Sequence, residues 1–470
     1  MSPDEIKSIF ALAAHRASRF RISLPDWPHS PMQSYGACVE DFDGPLPEDA
    51  VNAIAALEEL AEKAEKGLQM STGNRFHGWV IGSSHVVGAA ADMMTSAWGQ
   101  NTGNHIAAPS ASAAETVAAK WILELLQLPA QSSVGFVTGA TVANFVCLAA
   151  ARGEVLRRAG WDVEAQGLFG APPITVLIGD DAHTTVFSAL SFLGLGRERV
   201  LRVTTNSQGA ICATDFIKAV SKVSGPLIVV LQAGQINTGA FDPFDEIIPR
   251  AKKKGAWVHV DGAFGLWART SSSKESLATG LEDADSWATD GHKWLQTPYD
   301  SGFAIVRDEL AHRRAMTIAA SYLPRTVEGE RDPSHYVPEL SRRARGFAVW
   351  AMIKALGRAG IDSMINRHCA VAQMMAEKLT EEYGIKILND VVLNQVIVRF
   401  GSDLSDEDGD HLTRNVIARI QEDGECFAGG AVWRGRQVMR ISVIGFGTDS
   451  QEGARSVSAI VNAYRAVRSP

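Results

Sequence analysis

Between about residues 110 and 310, short apolar runs rich in Val and Ile alternate with helical patterns of apolar positions. The runs are Val134 to Thr138, Ile174 to Ile178, Val200 to Val203, Leu227 to Leu231, Trp257 to Asp261 and Ser301 to Val306. Between them the spacing predicts helices at Ala113 to Leu126, Thr141 to Arg158, Thr184 to Leu193, Thr214 to Val223 and Phe244 to Lys254. Such alternation predicts an α/β fold, a mostly parallel sheet with helices on both faces. After a loop-rich segment, Ser321 to Leu340, an amphipathic pattern from Arg342 to Leu356 leads into a smaller α+β part. That part has expected strands at Val391 to Phe400 and Gln437 to Ile444, and helices at Asp362 to Tyr383, Asp408 to Glu422 and Gln451 to Arg468. At the other end, helical arms flank a Pro-rich extended piece, Leu24 to Pro47, with periodicity resuming from Val51 to Ala64. The expected division is an N-terminal arm over 1–70, a large domain over 71–350 and a small C-terminal domain over 351–470.

Composition narrows the class of partner. Lys plus Arg is 45 against 53 for Asp plus Glu, a formal charge of −8, which argues against nucleic acid. No apolar run approaches the roughly 18 residues of a membrane helix. Met1 to Phe10 carries Asp4, Glu5 and Lys7 where a signal peptide would have a basic start and an apolar core. The five cysteines are widely spread, with no C-x-x-C pair to suggest a metal or redox site. A soluble cytoplasmic protein with reduced thiols is expected.

Four segments carry chemistry. Thr289-Asp290-Gly291-His292-Lys293-Trp294 puts a lysine beside a histidine between an apolar stretch and the strand at Ser301. Alone, it reads equally as a lysine at an element end with its head in water. Trp257 to Asp261 is a strand ending in a carboxylate, where α/β proteins bind ligands, although Asp261 could instead cap the next helix. Val137-Thr138-Gly139-Ala140-Thr141 is a strand running into a helix whose first N–H groups suit a phosphate. Asp180-Asp181-Ala182-His183-Thr184 offers an imidazole at another strand end, which by itself is more often structural. Together they are a phosphate cradle, a stacking imidazole, a strand-end carboxylate and a lysine, the set required by pyridoxal 5′-phosphate. In that set His183 would cover one face of the ring and the small Ala263 would allow contact on the other.

With these residues in view, the chain resembles the group II pyridoxal-phosphate-dependent amino acid decarboxylases, which include aromatic amino acid, glutamate and histidine decarboxylases. The fold this implies is aspartate aminotransferase-like, fold type I, and the likeness is dense from about residue 70 to 360. Asp285 to Leu295 is similar to the family's Ala-Asp-Ser-…-Asp-Pro-His-Lys-Trp-Leu signature, which implies that Lys293 is the Schiff-base lysine and that Asp290 and His292 lie at the cofactor, His292 on its phosphate. His259-Val260-Asp261-Gly262-Ala263-Phe264 is similar to His-Val-Asp-Ala-Ala-Tyr and gives Asp261 the pyridinium role. Asp181-Ala182-His183 matches the stacking-histidine segment, and Thr138-Gly139-Ala140-Thr141 matches the Ser-Gly-Gly-Thr phosphate loop. Asn237 to Pro243, and Ser341-Arg342-Arg343 with Trp350, fit as well.

The departures bear on substrate and proton transfer. Where the family has His-Pro-x-Phe-x-Gly at the substrate entrance, this chain has Gly73-Asn74-Arg75-Phe76-His77-Gly78-Trp79, which makes Phe76 and Trp79 candidate substrate contacts and an aromatic substrate an expectation. Gln235 replaces a threonine, and Val142 the glutamate after the phosphate loop. The segment corresponding to the family's mobile catalytic loop, about Pro324 to Pro338, has Tyr336 as its tyrosine. The resemblance implies that a loop tyrosine returns the proton to the α-carbon, with His183 or a partner-chain residue as the alternative donor. The leading expectation is an enzyme that converts an L-amino acid to its amine and carbon dioxide. An aldehyde synthase or lyase on the same cofactor is the alternative, and a catalytically silent scaffold is disfavoured by the presence of both Lys293 and Asp261. The N-terminal arm implies a homodimer with composite active sites.

Overall fold

The structure, a computed structural model, describes residues 1–317 and 330–468. The chain divides into two compact units, one of Val80–Gln373 with Leu388–Ile397, the other of Met1–Trp79 with Met374–Ile387 and Val398–Pro470.

The first unit is built on seven strands: β1 (Ser133–Val137), β2 (Thr175–Gly179), β3 (Leu201–Val203), β4 (Leu227–Gln232), β5 (Trp257–Asp261), β6 (Ser286–Asp290) and β7 (Gly302–Val306). Their order is β1-β7-β6-β5-β4-β2-β3. Pairing is parallel from β6 through to β3, and β7 alone runs against both neighbours. Every residue of β1, β4, β5, β6 and β7 is buried, as expected of strands covered on both faces, and β1, β4 and β7 read as largely apolar runs rather than alternating ones. Because β7 opposes both β1 and β6, β1 points the same way as β6. The C-terminal ends of β1, β2, β4, β5 and β6 therefore share one edge of the sheet, and the site is built there.

β6 is the strand the apolar pattern did not announce, because Ser286, Thr289 and Asp290 interrupt it. Its polar groups find partners inside: the Ser286 hydroxyl lies 2.9 Å from both Trp257 Nε1 and His259 Nδ1. Burial pushes the His259 imidazole down to about 3, so it stays neutral in the core. The helix Ala140–Arg158 packs on β5, β6 and β7. The amphipathic run expected to start at Arg342 becomes helical at Gly346, and the segment to Thr380 is two helices meeting at Gly357, whose φ of +61° breaks the α-helical geometry.

The second unit holds the N-terminal helices Pro3–Ser23, Tyr35–Phe42 and Ala53–Glu65. Tyr35–Phe42 lies within the stretch expected to be extended, with the Ser34 hydroxyl capping it by accepting from Ala37 N. The small sheet β8 (Ile385–Ile387), β9 (Gln395–Phe400), β10 (Gly429–Trp433) and β11 (Arg436–Ser442), ordered β10-β11-β9-β8, belongs to this unit except for residues 395–397 of β9, which fall in the first. The helix Asp406–Asp423 packs on β11 and on the helix Ser450–Arg468. Among the described residues no helix is long and apolar enough to cross a membrane.

Candidate active site

Lys293 lies three residues beyond the end of β6, in a turn fixed from several sides. Gly82 N donates to the His292 carbonyl at 2.9 Å, and the Ser83 amide and hydroxyl both donate to Gln296 Oε1 at 2.8 Å. A Cβ at Gly82 would meet the Lys293 and His292 carbonyl oxygens, so this approach requires glycine. The Lys293 side chain is 16% exposed. Its ammonium sits 2.9 Å from Asp290 Oδ2 and 5.8 Å from the centre of the Phe264 ring.

Asp290, the last residue of β6, is 2% exposed and joins three groups. Beside Lys293, its Oδ1 accepts from Ala140 N at 2.6 Å and lies 3.3 Å from His292 Nε2. His292 Nδ1 accepts from Ser301 N at 3.3 Å, so the ring proton sits on Nε2, facing Asp290. Burial pushes the His292 imidazole down, against the pull of Asp290, and its ring stacks on Tyr299 with centroids 4.3 Å apart. Ala140 opens the helix after Gly139, and its first turn has N–H groups with no carbonyl partner in the helix. A Cβ at Gly139 would come within 3.0 Å of His292 Cε1 and 3.1 Å of Asp290 Oδ1. Gly139 thus keeps open a cradle lined by Ala140, Thr141, Asp290 and His292, in which the backbone N–H groups of the helix start and His292 Nε2 are the donors that suit a phosphate.

Asp261 ends β5 and is 4% exposed. Burial raises its pKa, while the nearby His183 and Lys293 charges, the Ala263 amide and Asn144 oppose the rise. The Ala263 N–H donates to Asp261 Oδ1 at 3.2 Å. His183 caps the helix Thr184–Phe192: its Nδ1 accepts from Thr185 N at 3.3 Å, which leaves Nε2 as the protonated nitrogen. The cleft lined by His183, Gln232, Gly234, Ile236, Asp261, Ala263, Phe264 and Lys293 brings these groups together. Gln232 was not singled out from the sequence. As the last residue of β4, paired in register with Asp261, it was marked by the strand-end rule that found Asp261 itself.

The remaining predicted residues lie elsewhere. Tyr336 is 5% exposed beside β1, in a different cleft with Glu309, Arg313 and Arg331. Its phenol donates to Glu309 Oε1 at 2.5 Å, and burial followed by this bond pushes its pKa up to about 12. The earlier part of the expected loop, 324–329, lies outside the described residues, as does Tyr322, a second tyrosine of the loop-rich segment. Phe76 and Trp79 belong to the second unit, where Phe76 stacks on Phe427 at 4.9 Å and Trp79 lies 5.2 Å from the same ring. Phe427 is a further aromatic that no sequence motif flagged.

Residues 38–400 match the family described as the pyridoxal-dependent decarboxylase conserved domain. The chain belongs to this family. It is accordingly a pyridoxal 5′-phosphate-dependent carboxy-lyase acting on an amino acid, and decarboxylation is favoured over the alternative bond cleavages. This decarboxylase is 26% identical over 386 residues to the aromatic-L-amino-acid decarboxylase of Bacillus atrophaeus, covering 80% of this chain and 78% of that one. It is 30% identical over 261 residues to the bovine (Bos taurus) acidic amino acid decarboxylase GADL1, covering 54% of this chain and about half, 49%, of that relative. In three dimensions it aligns with the crystal structure of Oryza sativa TDC with PLP and tryptamine at a TM-score of 0.91, with 21% identity and 99% of both chains covered. The fold is type I, aspartate aminotransferase-like, as the motifs implied.

Proposed function

We propose that this decarboxylase acts on an L-amino acid with an aromatic side chain and that Lys293 anchors the cofactor. The reading rests on one observation: the half-buried Lys293 amine shares a cleft with Asp261 and His183, and among the described residues no arginine lines that cleft to receive an acidic side chain. Ile236, Ala263 and Phe264 give it apolar walls. Pyridoxal 5′-phosphate, when bound, supplies a conjugated ring that accepts the electron pair left when carbon dioxide departs. The protein's part is to hold and orient. Gly139, Ala140, Thr141, Asp290 and His292 would border the phosphate, Asp261 would pair with the ring nitrogen, and His183 and Ala263 would lie against the ring. Phe76 and Trp79, backed by Phe427, are proposed to contact the substrate side chain.

Borohydride treatment of the loaded protein should fix the cofactor to Lys293, and peptide mapping should recover the reduced adduct there. An adduct on any other lysine would overturn the assignment.

Tyr336 is proposed as the donor that returns a proton to the α-carbon, a role that requires its phenol to leave Glu309. In Tyr336→Phe, carbon dioxide release should then continue while amine yield falls. Unchanged amine yield would remove Tyr336 from the scheme, and Tyr322→Phe is the matching arm of the experiment.

A homodimer in a reducing compartment completes the proposal. The three N-terminal helices bury none of their residues, with Phe10 45%, Tyr35 87% and Phe42 50% exposed, and all five cysteines are free thiols. Sedimentation at micromolar concentration tests the dimer, and a monomer there would refute it.

A further inference from the structure

The Asp290 carboxylate occupies the phosphate end of the site. Its Oδ1 takes the Ala140 N–H at 2.6 Å, the first amide of the cradle, and its Oδ2 takes the Lys293 ammonium at 2.9 Å. His292 Nε2, the other donor of the cradle, is 3.3 Å from the same carboxylate. Asp290 has little room to withdraw, being 2% exposed, with its backbone carbonyl accepting from Trp267 Nε1 at 3.0 Å and its amide donating to the Ala263 carbonyl at 2.9 Å. A phosphate entering this cradle competes for the Ala140 N–H with an anion the chain already supplies.

We propose that Asp290 is a built-in stand-in for the cofactor's phosphate. Its carboxylate keeps the helix start and the lysine in register, and it sets a like-charge cost that the phosphate meets on entry. Asp290 is therefore a positioning residue that weakens cofactor retention, where a neutral side chain at 290 would strengthen it. The inference rests on the cofactor assignment and concerns this residue's charge alone.

Pyridoxal separates the two ideas, because it carries the ring and aldehyde of pyridoxal 5′-phosphate without the phosphate. Full-length wild-type, Asp290→Asn and Asp290→Ala proteins, freed of cofactor, are titrated with each compound by equilibrium dialysis. Both variants should bind pyridoxal 5′-phosphate at least about tenfold more tightly than wild type, the scale of relieving one close like-charge contact. Their affinity for pyridoxal should stay close to the wild-type value. Asp290→Asn preserves side-chain volume and carries the test if Asp290→Ala does not fold. The proposal fails if the variants bind the phosphorylated cofactor no better than wild type, or if pyridoxal gains as much. Wild-type protein that takes up neither compound would instead overturn the cofactor assignment itself.

Discussion

Lys293→Ala is expected to lower carbon dioxide release by about 10³-fold or more while leaving the fold intact. The side chain is 16% exposed, and its amine faces the Asp290 carboxylate at 2.9 Å and the Phe264 ring face at 5.8 Å. What the variant removes is an amine that can give up a proton and attack a carbonyl. Lys293→Arg isolates that property. A guanidinium keeps the positive charge facing Asp290, yet it stays protonated at any working pH and cannot act as the nucleophile. The two variants should therefore be equally inactive, although arginine preserves the ion pair. If Lys293→Arg kept turnover within about tenfold of wild type, Lys293 would be an electrostatic anchor and the covalent role would belong to another residue.

Asp261→Asn should reduce turnover by about 10² to 10³-fold, the range typical of removing one preorganised electrostatic partner. Asparagine has nearly the same shape, so the Ala263 N–H can still reach its side-chain oxygen as it reaches Asp261 Oδ1 at 3.2 Å. The loss is one negative charge in the cleft, and an amide there could not hold a proton on the ring nitrogen. Stability should move the other way. Burial disfavours the charged carboxyl, so the neutral amide relieves a cost that the wild-type fold carries, and the thermal midpoint should hold or rise. A midpoint that falls together with the activity would mean that Asp261 is chiefly structural.

The parts of this site that were readable in the sequence are those set by local pattern. β5 is expected over Trp257 to Asp261 and is found over those residues, because Trp257, Val258 and Val260 mark a strand whose His259 and Asp261 are buried with them. His292 and Lys293 were readable because they share one short segment. β6 was not, since its Ser, Thr and Asp are satisfied only by residues that folding brings from β5 and beyond. The same holds for the bond from Ala140 N to Asp290, which joins residues 150 apart. Tyr336 shows the limit of assignment by position: the loop motif gave a tyrosine, and the destination of its phenol, Glu309 on the helix Glu309–Met316, depends on packing beside β1. In the N-terminal arm, the prolines around Tyr35–Phe42 hid a short helix whose start rests on a single serine.

The antiparallel strand β7 has a consequence for how the protein is made. β1 has no partner in the sheet except β7, and the Ser133 hydroxyl meets the Val306 carbonyl across 173 residues of chain. A ribosome adds about 5 to 20 residues per second, so β1 emerges on the order of ten seconds or more before the strand that seats it. In that interval Gly139 and Ala140 have neither Asp290 nor His292 beside them. The nascent chain therefore elongates from Val137 to Val306 with an unpaired apolar strand and no finished cradle, and the pocket comes into being only when the last strand of the sheet slides between β1 and β6.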